Sequence, residues 1–84
     1  MQSFDVTVSD PVGVHARPAG IIVKEAQRLS SDITLSCKGK TVDMKRLIAV
    51  MSLGAKCGDK LTVCVSGEDE LSDTEKLKKI FESV

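Results

Sequence analysis

The chain of 84 residues contains a single histidine, His15, set in the run Gly13-Val14-His15-Ala16-Arg17-Pro18-Ala19-Gly20. An imidazole, a guanidinium two residues on and a proline directly after it are types suited to handling an anion. Proline in the third place after histidine suits the first turn of a helix, where its missing N–H removes no helical hydrogen bond. With His15 at the N-cap, the free amides of Ala16 and Arg17 point toward the space beside its ring, and the helix dipole adds positive potential there. Arg17 contributes a permanent forked donor matched to phosphate oxygens, while Gly13 and Ala16 leave room for close approach. The positive potential favours the neutral imidazole, whose unprotonated ring nitrogen is a nucleophile. The chemistry open to these residues is acceptance of a phosphoryl group on His15 as a phosphoramidate, with the dianion stabilised by amides and guanidinium. The same residues also fit a blander arrangement, a histidine capping a helix beside an unrelated arginine, because H-x-R-P alone is a weak motif.

A second constellation follows the first. Arg17, Gly20, Ile21, Lys24, Gln27 and Arg28 recur at helical spacings, opposite an apolar stripe of Ala19, Ile22, Val23, Ala26 and Leu29. This is a basic band with one exposed isoleucine, leading away from His15. A short helix laid alongside would add Lys45, Arg46, Ile48 and Met51, giving a basic patch with an apolar centre. That composition suits docking of acidic protein partners.

The elements that position these residues can be read from periodicity. Phe4, Val6 and Val8 alternate with Asp5, Thr7 and Ser9, which predicts a strand over residues 3–9 with one wet face. After the Asp10-Pro11-Val12-Gly13 break comes the helix just described, ended by Ser30-Ser31-Asp32. Ile33, Leu35 and Cys37 alternate with Thr34 and Ser36, Lys38-Gly39 makes a turn, and Val42 with Met44 marks the returning strand of a hairpin. Residues 46–53 read as a short helix with Leu47, Val50 and Leu53 facing inward, Ile48 and Met51 pointing elsewhere, and Gly54 closing it. Leu61, Val63 and Val65 give a fourth strand. The last helix starts amid Glu68, Asp69, Glu70 and Asp73 and continues through Leu77, Ile80, Phe81 and Val84, with Lys76, Lys78 and Lys79 in its later half. The order β-α-β-β-α-β-α predicts an α+β open-faced β-sandwich: a four-stranded antiparallel sheet covered on one face by three helices.

Composition bounds the function. A chain of this length is one domain, residues 1–84, with a single modest core. Hydrophobic residues at 42% and charged residues at 29% are ordinary for a soluble globule, and 12 basic against 12 acidic residues leave no general pull toward nucleic acid or membrane. Two Phe with no Trp or Tyr offer few stacking platforms, a further argument against nucleic-acid binding. Cys37, Cys57 and Cys64 are odd in number with no C-x-x-C pair, as in a reducing compartment. A zinc site from three cysteines and His15 is arithmetically possible, but the close ligand pairs of such sites are missing, and incidental thiols are the preferred reading. Cys57, in the Ala55-Lys56-Cys57-Gly58 loop, has no base beside it in sequence to make a reactive thiolate. No basic leader followed by an apolar run is present, nor a run approaching a membrane span, so a cytoplasmic location without membrane insertion is expected.

The whole length resembles the HPr family of histidine-containing phosphocarriers of the bacterial phosphoenolpyruvate-dependent sugar phosphotransferase system. GVHARPAG is similar to the phosphorylation-site pattern of that family; Ile22-Val23-Lys24-Glu25-Ala26, Val50 to Gly54 (VMSLG) and Gly67 to Glu70 (GEDE) stand in the matching order and spacing. The resemblance implies the same β-α-β-β-α-β-α sandwich. It also implies that His15 takes a phosphoryl group on Nδ1 from the phosphohistidine of enzyme I and passes it to IIA domains of sugar permeases. Arg17 would orient and neutralise the phosphoryl group. Gly20, Ile21, Lys24, Gln27, Lys45, Arg46, Leu47, Ile48 and Met51 would dock both partners in turn, which suits a monomer. No metal or organic cofactor is implied, and the protein would be a carrier rather than a free-standing enzyme. One position departs: where many Gram-positive members have a serine that a kinase phosphorylates at the opening of the short helix, this chain has Arg46. Arginine removes that modification and is a poorer cap, leaving Asp43 or solvent to compensate. The alternative is an HPr-like regulatory paralogue that binds and modulates partner proteins without serving sugar transport.

Overall fold

The computed structural model describes residues 1–14 and 16–83. Its elements are β1 (Gln2–Thr7), α1 (Ala16–Gln27), β2 (Asp32–Cys37), β3 (Lys40–Asp43), α2 (Leu47–Ser52), β4 (Lys60–Ser66) and α3 (Glu70–Ser83). The strands form one antiparallel sheet in the order β1-β4-β2-β3. Register aligns Phe4 with Val63, Val63 with Leu35 and Leu35 with Val42, so one apolar row crosses all four strands. Because strand side chains alternate, the same register puts Ile33, Leu35, Cys37, Leu61, Val63 and Val65 in the core and leaves Thr34, Ser36, Thr62 and Cys64 on the open face.

The helices cover that apolar face. α1 supplies Ala19, Ile22, Val23 and Ala26, α2 supplies Val50, and α3 supplies fully buried Leu77, with Ile80 and Phe81 packed at the margin. Phe81 meets Phe4 edge-on at 6.1 Å between ring centroids, tying α3 to the sheet edge. The end of α1 is joined to the start of α3 by hydrogen bonds: Ser30 Oγ donates to Asp69 at 2.8 Å, and Ser31 Oγ donates to the buried Asp73 carboxylate at 2.6 Å. Asp73 also accepts the Ser31 amide at 3.2 Å, so its burial is compensated by two donors.

The expected architecture and element order stand, with four local differences. β1 ends at Thr7, because Val8 leaves the ladder to exchange hydrogen bonds with the 58–59 loop (Val8 N–H to Asp59 O, 2.9 Å; Gly58 N–H to Val8 O, 2.8 Å). β3 runs over Lys40–Asp43, and Met44 follows it as a fully buried residue whose amide still reaches Ile33 O at 3.0 Å. Leu47 does not face inward: it is 41% exposed, since a helix of barely two turns presents only Val50 fully to the core. The last turn of α3 carries no basic residue, the three lysines lying a turn earlier, and Val84 lies outside the described residues. The Lys38-Gly39 turn is as expected, with φ of 51° and 81°, the pairing a tight two-residue hairpin requires.

Candidate functional site

α1 begins at Ala16, the residue that follows His15 in sequence. His15 itself, the expected phosphoryl acceptor, lies outside the described residues. Helix geometry leaves the first amides without an intrahelical acceptor, and because Pro18 has none to offer, Ala16 and Arg17 are the two that remain. No acidic residue occupies the first turn of α1, while Pro18 and Ala19 are buried and anchor that turn against the core. Ala16 and Arg17 are exposed. The helix mouth therefore combines a fixed backbone, two free donors, positive dipole potential and a guanidinium on the same turn.

The approach to the helix is built by two loops that brace each other. Gly13, with φ of 85°, sits so close to the 55–56 backbone that a Cβ would lie 2.5 Å from Ala55 O. The Val14 amide donates to that same oxygen at 3.0 Å. The bracing loop is pinned in turn: the Asp59 carboxylate accepts the Lys56 amide at 2.9 Å and pairs with Lys38 Nζ at 3.3 Å. These contacts, the Lys56 amide foremost, hold the Asp59 carboxyl below its ordinary pKa. Exposed Cys57 lies in this loop with its thiol 3.9 Å from Ser9 O; Cys37 is buried and Cys64 half-buried.

Sequence reading missed one residue here. Asp10 Oδ1 accepts the Val12 amide at 2.9 Å and Asp10 O accepts the Gly13 amide at 2.8 Å, which closes the turn leading to the helix. Its other carboxylate oxygen, Oδ2, lies 3.4 Å from Arg17 Nη2. The expected anion binder thus already has an anion beside it. An acid in an Asp-Pro turn reads first as a turn former, and only the fold reveals that the loop carries it back across seven residues to α1.

The expected docking residues gather on one side. Gly20, Ile21, Lys24 and Gln27 stand on α1, and Leu47, Ile48 and Met51 on the adjoining α2, with Lys45 and Arg46 leading into it. Ile48 is 77% exposed, and Ile21, Leu47 and Met51 are each exposed by about two-fifths. Four large apolar side chains therefore interrupt a basic surface. Gln27 and Lys45 also have internal partners: Gln27 Nε2 donates to Lys45 O at 2.8 Å, and Lys45 Nζ donates to Leu29 O at 2.9 Å. They tie the end of α1 to the entry of α2; Arg17 pairs with Asp10 and Arg28 with Glu25 at 3.3 Å, so, Lys45 aside, Lys24 and Arg46 are the docking-face cations without a carboxylate partner among the described residues. Arg46 occupies the N-cap of α2 with φ of −116° and ψ of 112° and makes no side-chain cap. Asp43 does not supply one: its carboxylate accepts the Lys45 amide at 2.9 Å, one residue short of the cap. No helix among the described residues is long and apolar enough to cross a membrane.

Residues 2–83 match the family model described as the phosphotransferase-system HPr component phosphorylation site. The phosphocarrier protein HPr of Mycoplasma pneumoniae is 41% identical over 83 residues, covering 98% of this chain and 94% of that protein. A solved mycoplasma histidine-containing phosphocarrier protein superposes with a TM-score of 0.94 at 32% identity, over 98% of this chain and 93% of the other. HPr from Bacillus anthracis strain Ames gives a TM-score of 0.85 at 35% identity, over 94% of each chain. With a family model and relatives that span nearly its full length, and the same antiparallel sheet and three helices, the chain belongs to the HPr family of phosphotransferase-system phosphocarrier proteins.

Proposed function

We propose that this chain carries phosphoryl groups on His15, accepting them at Nδ1 from the phosphohistidine of enzyme I, itself charged by phosphoenolpyruvate, and delivering them to IIA domains of sugar permeases. The observation that carries the reading is the mouth of α1: two amides without helical acceptors and an arginine in one turn, directly after the only histidine of the chain. In the uptake step the lone pair of the neutral imidazole attacks phosphorus. The P–N bond to the donor ring, protonated on its other nitrogen, breaks; its electron pair returns to that ring, which leaves as a neutral imidazole, and the second ring nitrogen of His15 keeps its proton. Delivery is the same exchange with an acceptor histidine as nucleophile. The Ala16 and Arg17 amides and the Arg17 guanidinium stabilise the phosphoryl oxygens throughout. The carrier works in the cytoplasm as a monomer, because one face must meet two partners in turn.

With phosphoenolpyruvate and enzyme I, the protein is expected to gain one acid-labile, alkali-stable phosphoryl group, which a IIA domain then removes; intact-mass spectrometry and ³¹P NMR read both steps. Absence of labelling, with enzyme I shown competent on another HPr, would reassign the chain to the regulatory binding modules.

The docking surface has its own test in Arg46. Serine at this position restores a side-chain cap to α2, worth about 1 kcal/mol, and so raises Tm by about 4–8 °C in a domain of this size. The same change removes a cation from the basic patch and is expected to weaken enzyme I binding about two- to five-fold at low salt, the difference fading as salt screens it. Higher stability with weaker binding is the signature of Arg46→Ser. Unchanged affinity at low salt would take Arg46 out of the docking set.

A further inference from the structure

Asp10 stands where the proposed phosphoryl group has a claim. Its turn, fixed by the Val12 and Gly13 amides and seated on the Ala55 backbone, holds the carboxylate beside Arg17 as a built feature of the loop. The two partners differ in freedom. The Asp10 side chain is only 17% exposed, whereas that of Arg17 is 66% exposed and has solvent around it in which to swing. A guanidinium offers five donors, and a phosphoryl dianion is a stronger acceptor than a carboxylate, so Arg17 can exchange one partner for the other.

Building on the carrier reading above, we infer that Asp10 is a positioning residue that holds Arg17 while His15 is unphosphorylated, yields it to the phosphoryl group on loading, and thereby favours the group's onward transfer. The unloaded form keeps an Asp10–Arg17 pair that the loaded form gives up. The loaded form instead gathers two anions, the Asp10 carboxylate and the phosphoryl dianion, around one guanidinium. Both effects raise the free energy of the loaded state relative to the empty one, which limits how tightly the carrier grips its cargo. No bond is made or broken at Asp10; the effect inferred runs through Arg17. Because the guanidinium is largely solvated, the effect is modest.

Asp10→Asn is the suitable probe, since its amide oxygen still accepts the Val12 N–H and only the charge is lost. ¹⁵N-labelled wild type and unlabelled Asp10→Asn are mixed with catalytic enzyme I and limiting phosphoenolpyruvate. The phosphoryl group is then allowed to equilibrate, and its distribution is read by intact mass under alkaline conditions. The expected result is accumulation on Asp10→Asn by about two- to five-fold, with the preference falling toward unity in 1 M salt. The same comparison between Arg17→Ala and Arg17→Ala/Asp10→Asn should give a ratio close to one. A ratio of one with the arginine present overturns the inference while leaving the carrier reading intact, as does an undiminished preference in the Arg17→Ala background, which would mean that Asp10 acts without Arg17. Failure of wild type and variant alike to be labelled by a competent enzyme I overturns both.

Discussion

His15→Ala is expected to abolish phosphoryl acceptance entirely, while Arg17→Ala reduces its rate about ten- to a hundred-fold without abolishing it. The contrast follows from the two roles. His15 is the only imidazole in the chain, so its removal eliminates the one side chain whose neutral form offers a ring lone pair to phosphorus at neutral pH. Arg17 supplies charged hydrogen bonds to the oxygens, each worth about 1.5–3 kcal/mol, and that range sets the size of the rate loss. The Ala16 and Arg17 backbone amides survive the Arg17→Ala change and sustain the remaining reaction. Neither substitution should move Tm much. The Arg17 side chain packs little and its pair with Asp10 is solvated, so circular dichroism melts of the variants separate a chemical defect from misfolding. Time courses of labelling with enzyme I provide the test. Residual labelling of His15→Ala would show a second acceptor and overturn the assignment of the site.

The sequence made the elements and the acceptor legible for different reasons. Strands β2 and β4 and helix α1 bury one face each, so apolar residues at spacings of two and of three to four mark them directly. The short helix is harder to orient. Over seven residues, Leu47, Val50 and Leu53 satisfy a helical period, yet the structure buries Val50 fully, half-buries Leu53 at the C-cap and turns Leu47 out among Ile48 and Met51. Periodicity alone cannot say which side of so short a helix meets the core. Arg17 was legible because it adjoins the histidine in a recognisable motif. Asp10 was not, because its relation to Arg17 arises from the reversal of the chain between β1 and α1, and the bracing by residues 55–59 from a loop more than forty residues away. What local patterns miss is the tertiary environment that tunes the site: a carboxylate beside the guanidinium, and a backbone carbonyl beneath the glycine that precedes the helix.

That glycine gives the second large effect, on stability. In Gly13→Ala the new Cβ would meet Ala55 O at 2.5 Å and the Lys56 Cα at 3.0 Å, both backbone atoms that cannot rotate aside, while φ of 85° is itself unfavourable for alanine. Gly39→Ala is the matched control. Its φ is 81° but nothing lies within 4 Å of the added carbon, so it carries the conformational cost of about 1–2 kcal/mol without the collision. The steric contact should add about 1–3 kcal/mol at position 13. Gly13→Ala is therefore expected to melt at least about 5–10 °C below Gly39→Ala, given about 4–8 °C per kcal/mol for a domain of this length. The consequence reaches the site, because relief of the collision must lift the loop that carries Asp10 and the Val14 amide away from Ala55, at the entry to α1. Labelling by enzyme I should then slow in Gly13→Ala even at temperatures where the protein stays folded, and remain at the wild-type rate in Gly39→Ala. Equal melting temperatures for the two variants would mean that the 13–14 loop yields freely, and that its seat on Ala55 does not hold the helix mouth in place.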